Sequence, residues 1–276
     1  MGRKIKVLYI LGAGRSGSTL LATILGNIEG FFNAGEVRYL FNCEMQRYDL
    51  PCSCGSSVEK CRFWGSIIPT IDRSVVVKAT VLLRSRNFLR LLISESFRGK
   101  LIDLCKELEN VYIDIASKSG AQIIVDSSKH PIFAYCISKS TSIDLYTIHL
   151  VRDPRGMVDS YSKRKAYMGK RSVWKVAMTW NLLNFLSEIL FYHSAQNLRI
   201  RYEDLVAEPD KWISEIVRLV GHEVSTCSIL DGNSYVSLSK EQHSLAGNPE
   251  KFRLRATVQI VNRGWDIPLW KQVITN

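Results

Sequence analysis

The clearest pattern in the chain is an unbroken apolar run, Val7 to Leu11. It gives way to a loop holding Gly12, Gly14 and Gly17, then resumes as an apolar helical stretch from Leu20 to about Gly26. A short apolar run bounded by glycine predicts a parallel strand covered on both faces. The order strand, glycine loop, helix aims backbone N–H groups and a helix N-terminus at an anion. The strand pattern recurs at Ile123 to Val125, ending at Asp126, at Leu145 to Val151, running into Arg152, and at Leu198 to Tyr202. Between these runs the apolar period changes to three and four. Leu82, Leu83, Leu89, Leu92 and Ile93, then Leu101, Leu104, Leu108 and Val111, predict two helices between Arg73 and Ser117, interrupted at Gly99 and stopped by Gly120. Asp153 as N-cap and Pro154 behind it open another helix. Trp174 to Ala195 is a long apolar helix, and Trp212, Ile216, Leu219 and Val220 stripe a helix that starts at Pro209 and ends at Gly221. The alternation predicts an α/β fold: one domain over 1–276, a parallel sheet flanked by helices, with ligands at the carboxyl ends of the strands.

The chemistry of the first loop sharpens this picture. Against the nucleotide-loop pattern G-x-x-x-x-G-K-[ST], the segment matches at Gly12, Gly17 and Thr19 but has Ser18 in place of the lysine. Without that lysine the loop lacks the main cation for a triphosphate, which disfavours an ordinary NTPase. Arg15 remains, so backbone amides, hydroxyls and a guanidinium can hold a smaller anion. A second anion site is expected at Arg152, with Gly156 and Ser160 four residues apart on one face of the following helix. Pro131 holds His130 extended, so Ser127 to His130 form a loop at a strand end that Asp126 organises. The segment Phe31 to Arg38 returns across the mouth of the site and carries Glu36. Cys52, Cys54 and Cys61 lie in an irregular stretch read as a packed loop insertion; a zinc site there would take Cys43 as fourth ligand, but paired C-x₂-C knuckles are missing. The segment 243–255 is Gly/Asn/Pro-rich, then basic, and reads equally as a loop that closes over an anion or as a solvated basic loop.

The chain of 276 residues has a net charge of +11, which favours anionic ligands. Its basic residues are dispersed, with no block or RNA-binding signature, so nucleic acid is not expected as a partner. The apolar run behind the basic start is too short for a signal segment, and no stretch reaches membrane-spanning length. Seven cysteines, an odd number, argue against a disulfide framework. A cytoplasmic protein is the expectation; its oligomeric state is not legible.

These pieces together resemble one family, the sulfotransferases that use 3′-phosphoadenosine 5′-phosphosulfate (PAPS). GAGRSGSTLL resembles the family's 5′-phosphosulfate loop, implying Gly14, Arg15, Ser16, Gly17, Ser18 and Thr19 as donor-binding residues. VRDPRGMVDSYSK resembles its 3′-phosphate motif, implying Arg152 and Ser160. DSSKHP is similar to the segment supplying a catalytic lysine, here Lys129. AGEVRYL resembles the segment carrying a catalytic glutamate in tyrosylprotein-type members, here Glu36. RYEDL implies Tyr202 beside the nucleotide, and HSLAGNPEKFR resembles the C-terminal loop of bacterial members, implying Asn248, Lys251 and Arg253. The implied reaction is in-line sulfuryl transfer to a hydroxyl or amine of a small-molecule acceptor, a natural product, carbohydrate or lipid, without metal, and no bound metal is expected. Lys129 and Arg15 would neutralise the leaving group and Glu36 would act as base, with His130 as the alternative base. Residues 31–120 would cover the acceptor. The alternative is a magnesium-dependent nucleotide or small-molecule kinase using Asp126 for the metal.

Overall fold

The first apolar run forms β1 (Ile5–Leu11), and the glycine loop leads from it into α1 (Ser18–Leu25). A computed structural model of the chain describes residues 4–43, 51–162, 173–193, 196–223, 235–237, 242–246 and 257–259. Phe31 to Gly35 does more than return across the site: it is a strand, β2 (Phe31–Gly35), followed by a 3₁₀ turn over Val37–Phe41.

The region expected as two helices is four: α2 (Arg73–Leu82), α3 (Phe88–Ile93), α4 (Glu95–Gly99) and α5 (Ile102–Ser119). Local polar caps make the extra breaks. Asn87 Nδ2 donates to the carbonyls of Val81 and Leu82 at the end of α2. Ser94 accepts from the Phe97 N–H and opens α4. Gly120 closes α5 in the left-handed conformation, as its position predicts.

β3 (Ile123–Asp126) is followed by α6 (Pro131–Ile137), which begins where Pro131 ends the expected loop. After β4 (Ile143–Val151), Asp153 Oδ1 accepts from the Arg155 N–H at 2.8 Å and starts α7 (Pro154–Ser162). The chain continues through α8 (Val173–His193) and β5 (Asn197–Arg201). Tyr202, expected as the end of a strand, instead opens α9 (Tyr202–Ala207), ahead of α10 (Pro209–Leu219). Two short strands, β6 (Tyr235–Ser237) and β7 (Thr257–Gln259), pair antiparallel apart from the main sheet.

The main sheet is five-stranded and parallel throughout, in the order β2-β3-β1-β4-β5. β1 sits at its centre and is buried on both faces. Val7, Tyr9 and Leu11 pack into one apolar layer with Leu104, Leu108, Phe133 and the 51–76 segment; Leu8 and Ile10 pack into the other with Leu21, Leu25, Ile213 and Ile216. This two-sided burial is why the run carries no polar alternation.

All five strands point the same way, so their carboxyl ends gather at one edge of the sheet. The register there is tight: Asp126 lies opposite both Tyr9 of β1 and Gly35 of β2. The 242–246 segment lies against the same edge. The Leu245 N–H donates to the Ala34 carbonyl and the Leu245 carbonyl accepts from the Glu36 N–H, both at 3.0 Å. Gln242 bridges the Asn33 side chain and the Thr23 carbonyl. This part of the tail is therefore a docked strap; residues 247–256 lie outside the described residues.

Gly35 makes that docking possible. Its φ of +75° is one that L side chains rarely adopt, and a Cβ there would lie 2.2 Å from the Leu245 carbonyl oxygen. Gly35→Ala is expected to destabilise the fold by about 2–4 kcal/mol, roughly 5–10 °C in thermal midpoint for a chain of this size. Gly99→Ala, where a Cβ meets nothing within 4 Å, is expected to leave the midpoint unchanged or slightly raised. Equal midpoints for the two variants, measured by calorimetry, would remove the docking role assigned to Gly35.

Candidate active site

Two groups of candidate side chains meet the carboxyl edge of the sheet. The first is built on the loop between β1 and α1. Ser16 folds back to donate its hydroxyl to the Ala13 carbonyl at 2.8 Å, which tightens the turn. Arg15 takes the left-handed backbone conformation, φ 71°, and Gly17 follows with φ 92° as the N-cap of α1. No side chain caps α1 and its first turn holds no acidic residue. The leading N–H groups, with Ser18 and Thr19 among them, thus have no competing carboxylate.

A Cβ at position 17 would strike the Tyr202 ring at 2.4 Å, so the loop and α9 are in direct contact. Arg152 joins both. Its Nη1 donates to the Arg15 carbonyl at 2.9 Å and its guanidinium lies over the Tyr202 ring, 4.3 Å from the centroid. Trp180 Nε1 donates to the Arg152 carbonyl and fixes that strand end from α8. Arg15, Gly17, Arg152 and Tyr202, far apart in sequence, form one cluster here. Gly14 lies in the same loop. Ser160 lies in α7, but its side chain is outside the described residues, as are Asn248, Lys251 and Arg253.

The second group sits at the ends of β2 and β3. The ladder between these strands continues past its last pair: the Ser127 N–H donates to the Gly35 carbonyl at 2.7 Å, and the Arg38 N–H to Ser128 Oγ at 3.1 Å. Glu36 and Lys129 therefore emerge side by side. Lys129 Nζ lies 3.0 Å from Glu36 Oε1 and donates to the Ser127 carbonyl at 2.5 Å. Lys129, like Arg15, has a left-handed backbone, φ 61°, an uncommon conformation for a non-glycine residue.

Sequence reasoning did not single out Arg38, which reaches the other oxygen, Glu36 Oε2, at 3.3 Å and donates to the Tyr39 hydroxyl at 2.9 Å. The sequence signal was available, since Glu36 and Arg38 are two apart at the end of an extended segment. Arg38 Nε is buried without a partner among the described residues. Burial pushes the Glu36 carboxyl up; Lys129 and Arg38 outweigh it and hold the group below its ordinary range. The cluster therefore stabilises the fold at neutral pH and loses that contribution as pH falls through the lowered value.

Asp126 acts as the loop organiser that its position predicts. It is fully buried, accepts the Ser128 N–H at 2.7 Å on Oδ1, and accepts the Tyr112 hydroxyl on Oδ2. Burial raises its carboxyl to about 6, against the pull of those hydrogen bonds.

His130, the alternative base, is turned away from Glu36 and Lys129. Its ring nitrogen Nε2 lies 2.8 Å from the Leu83 carbonyl and the ring meets Phe88 edge-on. Burial, aided by the Arg38 charge, lowers it to about 3. Its backbone matters more: Tyr9, buried in the central strand, accepts the His130 N–H and donates to the His130 carbonyl, fixing the turn after Lys129.

A family model described as a sulfotransferase domain matches residues 6–251. The fold is similar to that of the sulfotransferase domain from the Synechococcus PCC 7002 olefin synthase, with 18% identity, a TM-score of 0.51 and coverage of 83% of this chain and 78% of that one. The sulfotransferase domain from the curacin biosynthetic pathway is similar at 16% identity and a TM-score of 0.54, over 93% of this chain and 85% of that one. No curated protein sequence matches the chain.

The raised Asp126 gives a pH-linked outcome. Between about pH 4, where the unfolded carboxyl ionises, and pH 6, the folded state holds a proton that the unfolded state has released. Stability therefore falls as pH rises through that window, by up to about 1.4 kcal/mol per pH unit. Denaturant unfolding of wild type and Asp126→Asn across this range should show wild type losing stability relative to the variant as pH increases. Parallel curves would mean that Asp126 ionises normally.

Proposed function

The chain belongs to the sulfotransferase domain family, and from that premise we propose that it moves the sulfuryl group of PAPS to a hydroxyl or amine of a small-molecule acceptor. The observation that carries the reading is the buried pairing of Glu36 with Lys129 at the ends of adjacent strands, a base and a cation held 3.0 Å apart on the edge that also presents the anion loop. In this reading Gly14 to Thr19 bind the 5′-phosphosulfate through loop amides, hydroxyls and Arg15. Arg152 and Ser160 bind the 3′-phosphate and Tyr202 packs beside the nucleotide. Asn248, Lys251 and Arg253 cover it. The 2.9 Å bond from Arg152 to the Arg15 carbonyl supports this division, because it fixes the spacing between the two anion sites.

The transfer is in line. A lone pair of the acceptor oxygen or nitrogen attacks sulfur as the bond from sulfur to the bridging phosphate oxygen breaks, and adenosine 3′,5′-bisphosphate leaves. Lys129 and Arg15 neutralise charge growing on the bridging oxygen. Glu36 takes the acceptor proton. The lowered carboxyl is consistent with this: Glu36 rests ionised against Lys129, and when Lys129 turns toward the donor, the carboxylate loses a cation and becomes more basic. The acceptor is a natural product, carbohydrate or lipid bearing such a group. Magnesium-dependent phosphoryl transfer is not favoured: Ser18 stands where the loop lysine would be, and both Asp126 oxygens are engaged by Ser128 and Tyr112.

Adenosine 3′,5′-bisphosphate should raise the thermal midpoint of the protein without magnesium, in proportion to its saturation, and Arg152→Ala should abolish the rise. In sulfuryl-transfer assays against an acceptor panel, Glu36→Gln should lower kcat by roughly 10²–10⁴-fold while keeping the bisphosphate shift. A midpoint that responds only to ATP with magnesium would overturn the assignment, and near-normal turnover of Glu36→Gln would remove that residue as base.

A further inference from the structure

Away from the donor loop, the fold brings together four groups with the chemistry of metal ligands. Cys52, Cys54 and Cys61 come from one loop, and His243 comes from the strap 182 residues beyond Cys61. All four donor atoms lie within 4.8 Å of one another. Cys61 Sγ is 3.6 Å from Cys52 Sγ and 3.8 Å from Cys54 Sγ. His243 Nδ1 is 3.3 Å from Cys61 Sγ and 3.9 Å from Cys52 Sγ.

These four distances match four edges of a tetrahedron around one small ion, and the other two are no longer than 4.8 Å. A zinc ion with Zn–S of about 2.3 Å and Zn–N of about 2.0–2.1 Å places neighbouring sulfurs about 3.8 Å apart and sulfur and nitrogen about 3.6 Å apart. The sulfurs are too far apart for a disulfide, which needs about 2.05 Å, and the third cysteine would have no place in one.

Contacts outside the cluster orient the histidine. Its backbone carbonyl accepts from Trp64 Nε1, its ring stacks on Phe63 at 5.8 Å with a 12° interplanar angle, and Nδ1 faces the thiols. The loop is fastened to the strap independently, through the Ser53 N–H on the Ser244 carbonyl and Ser53 Oγ on the Gln242 carbonyl. Cys43, the fourth ligand considered from spacing, is absent from the cluster; its N–H donates to Thr80 Oγ1 instead.

We propose that Cys52, Cys54, Cys61 and His243 form a structural zinc site that clips the Cys-bearing loop to the C-terminal strap. Binding converts three thiols to thiolates, releases their protons, and leaves a neutral imidazole bound through Nδ1 with its proton on Nε2. The ion and its ligands carry one net negative charge, which the adjacent Arg62 guanidinium offsets; Arg62 Nε, which donates to an unprotonated His243 Nε2 at 3.4 Å, turns aside when that nitrogen takes the imidazole proton. Four protein ligands leave no open position, so the ion is structural. Its effect reaches the reacting edge through the backbone. Two residues past His243, Leu245 hydrogen-bonds Ala34 and Glu36, so the clip fixes the strand end that presents the proposed base.

The test measures metal directly. Protein purified under reducing conditions, loaded with zinc and dialysed should retain one zinc per chain by elemental analysis. Cobalt loading should give the visible absorption of a tetrahedral thiolate site. Cys61→Ser and His243→Ala should each lose the stoichiometric metal, while Cys136→Ser, outside the cluster, should keep it. Chelation of wild type should lower the thermal midpoint and expose three additional thiols to alkylation. His243→Cys should keep zinc, which distinguishes loss of a ligand from misfolding in the alanine variant. Reduced, folded wild type that holds no zinc or cobalt after loading, equal metal retention in the Cys61 and His243 variants, or a disulfide among these cysteines in the native protein would each overturn the proposal.

Discussion

The ion pair between Glu36 and Lys129 is the constraint around which the carboxyl edge of the sheet is arranged. Burying two charges is costly unless further hydrogen bonds offset it, and here Arg38 takes the second carboxylate oxygen while the Ser127 carbonyl accepts from the ammonium. That arrangement exists only because the β2 and β3 ladders run in register to Asp126 and continue beyond it. A slip of one residue would turn Glu36 to the opposite face and leave a cation buried alone. The parallel sheet is the instrument that aligns these two charged groups.

Backbone strain collects at the same edge. Arg15 and Lys129 are two of the three non-glycine residues with positive φ among those described. Both are cations at strand ends, and each is held by neighbours that over-determine it: the Arg152 bond to the Arg15 carbonyl on one side, the Tyr9 clamp on His130 on the other. The third, Ala246, lies in the docked strap beside Leu245. Such conformations persist only where surrounding contacts enforce them.

The Cys-bearing loop and the strap form a second layer of support behind Glu36. Trp64 and Phe63 fix His243, Ser53 ties the loop to the strap, and Leu245 continues the hydrogen bonding to β2. Gly35 permits this close approach because no other residue leaves room for the Leu245 carbonyl. Segments more than 180 residues apart thus set the position of one carboxylate.

The sequence alone determined the α/β class, β1 and its glycine loop, the strand ends bearing Lys129 and Arg152, and the roles of Asp153 and Gly120 as helix boundaries. Those features are local: continuous apolar runs, glycine and proline positions, and caps act within a few residues. It missed β2 as a strand because that segment is an edge whose pairing is with β3, and it merged four helices into two because the breaks depend on Asn87 and Ser94 side chains finding nearby backbone groups. Arg38 as partner of Glu36, His130 turned toward Leu83, and His243 beside three cysteines were decided by the tertiary structure. Each depends on which way a side chain points once distant segments have packed, and that information exists only after the register of the sheet and the docking of the strap are set.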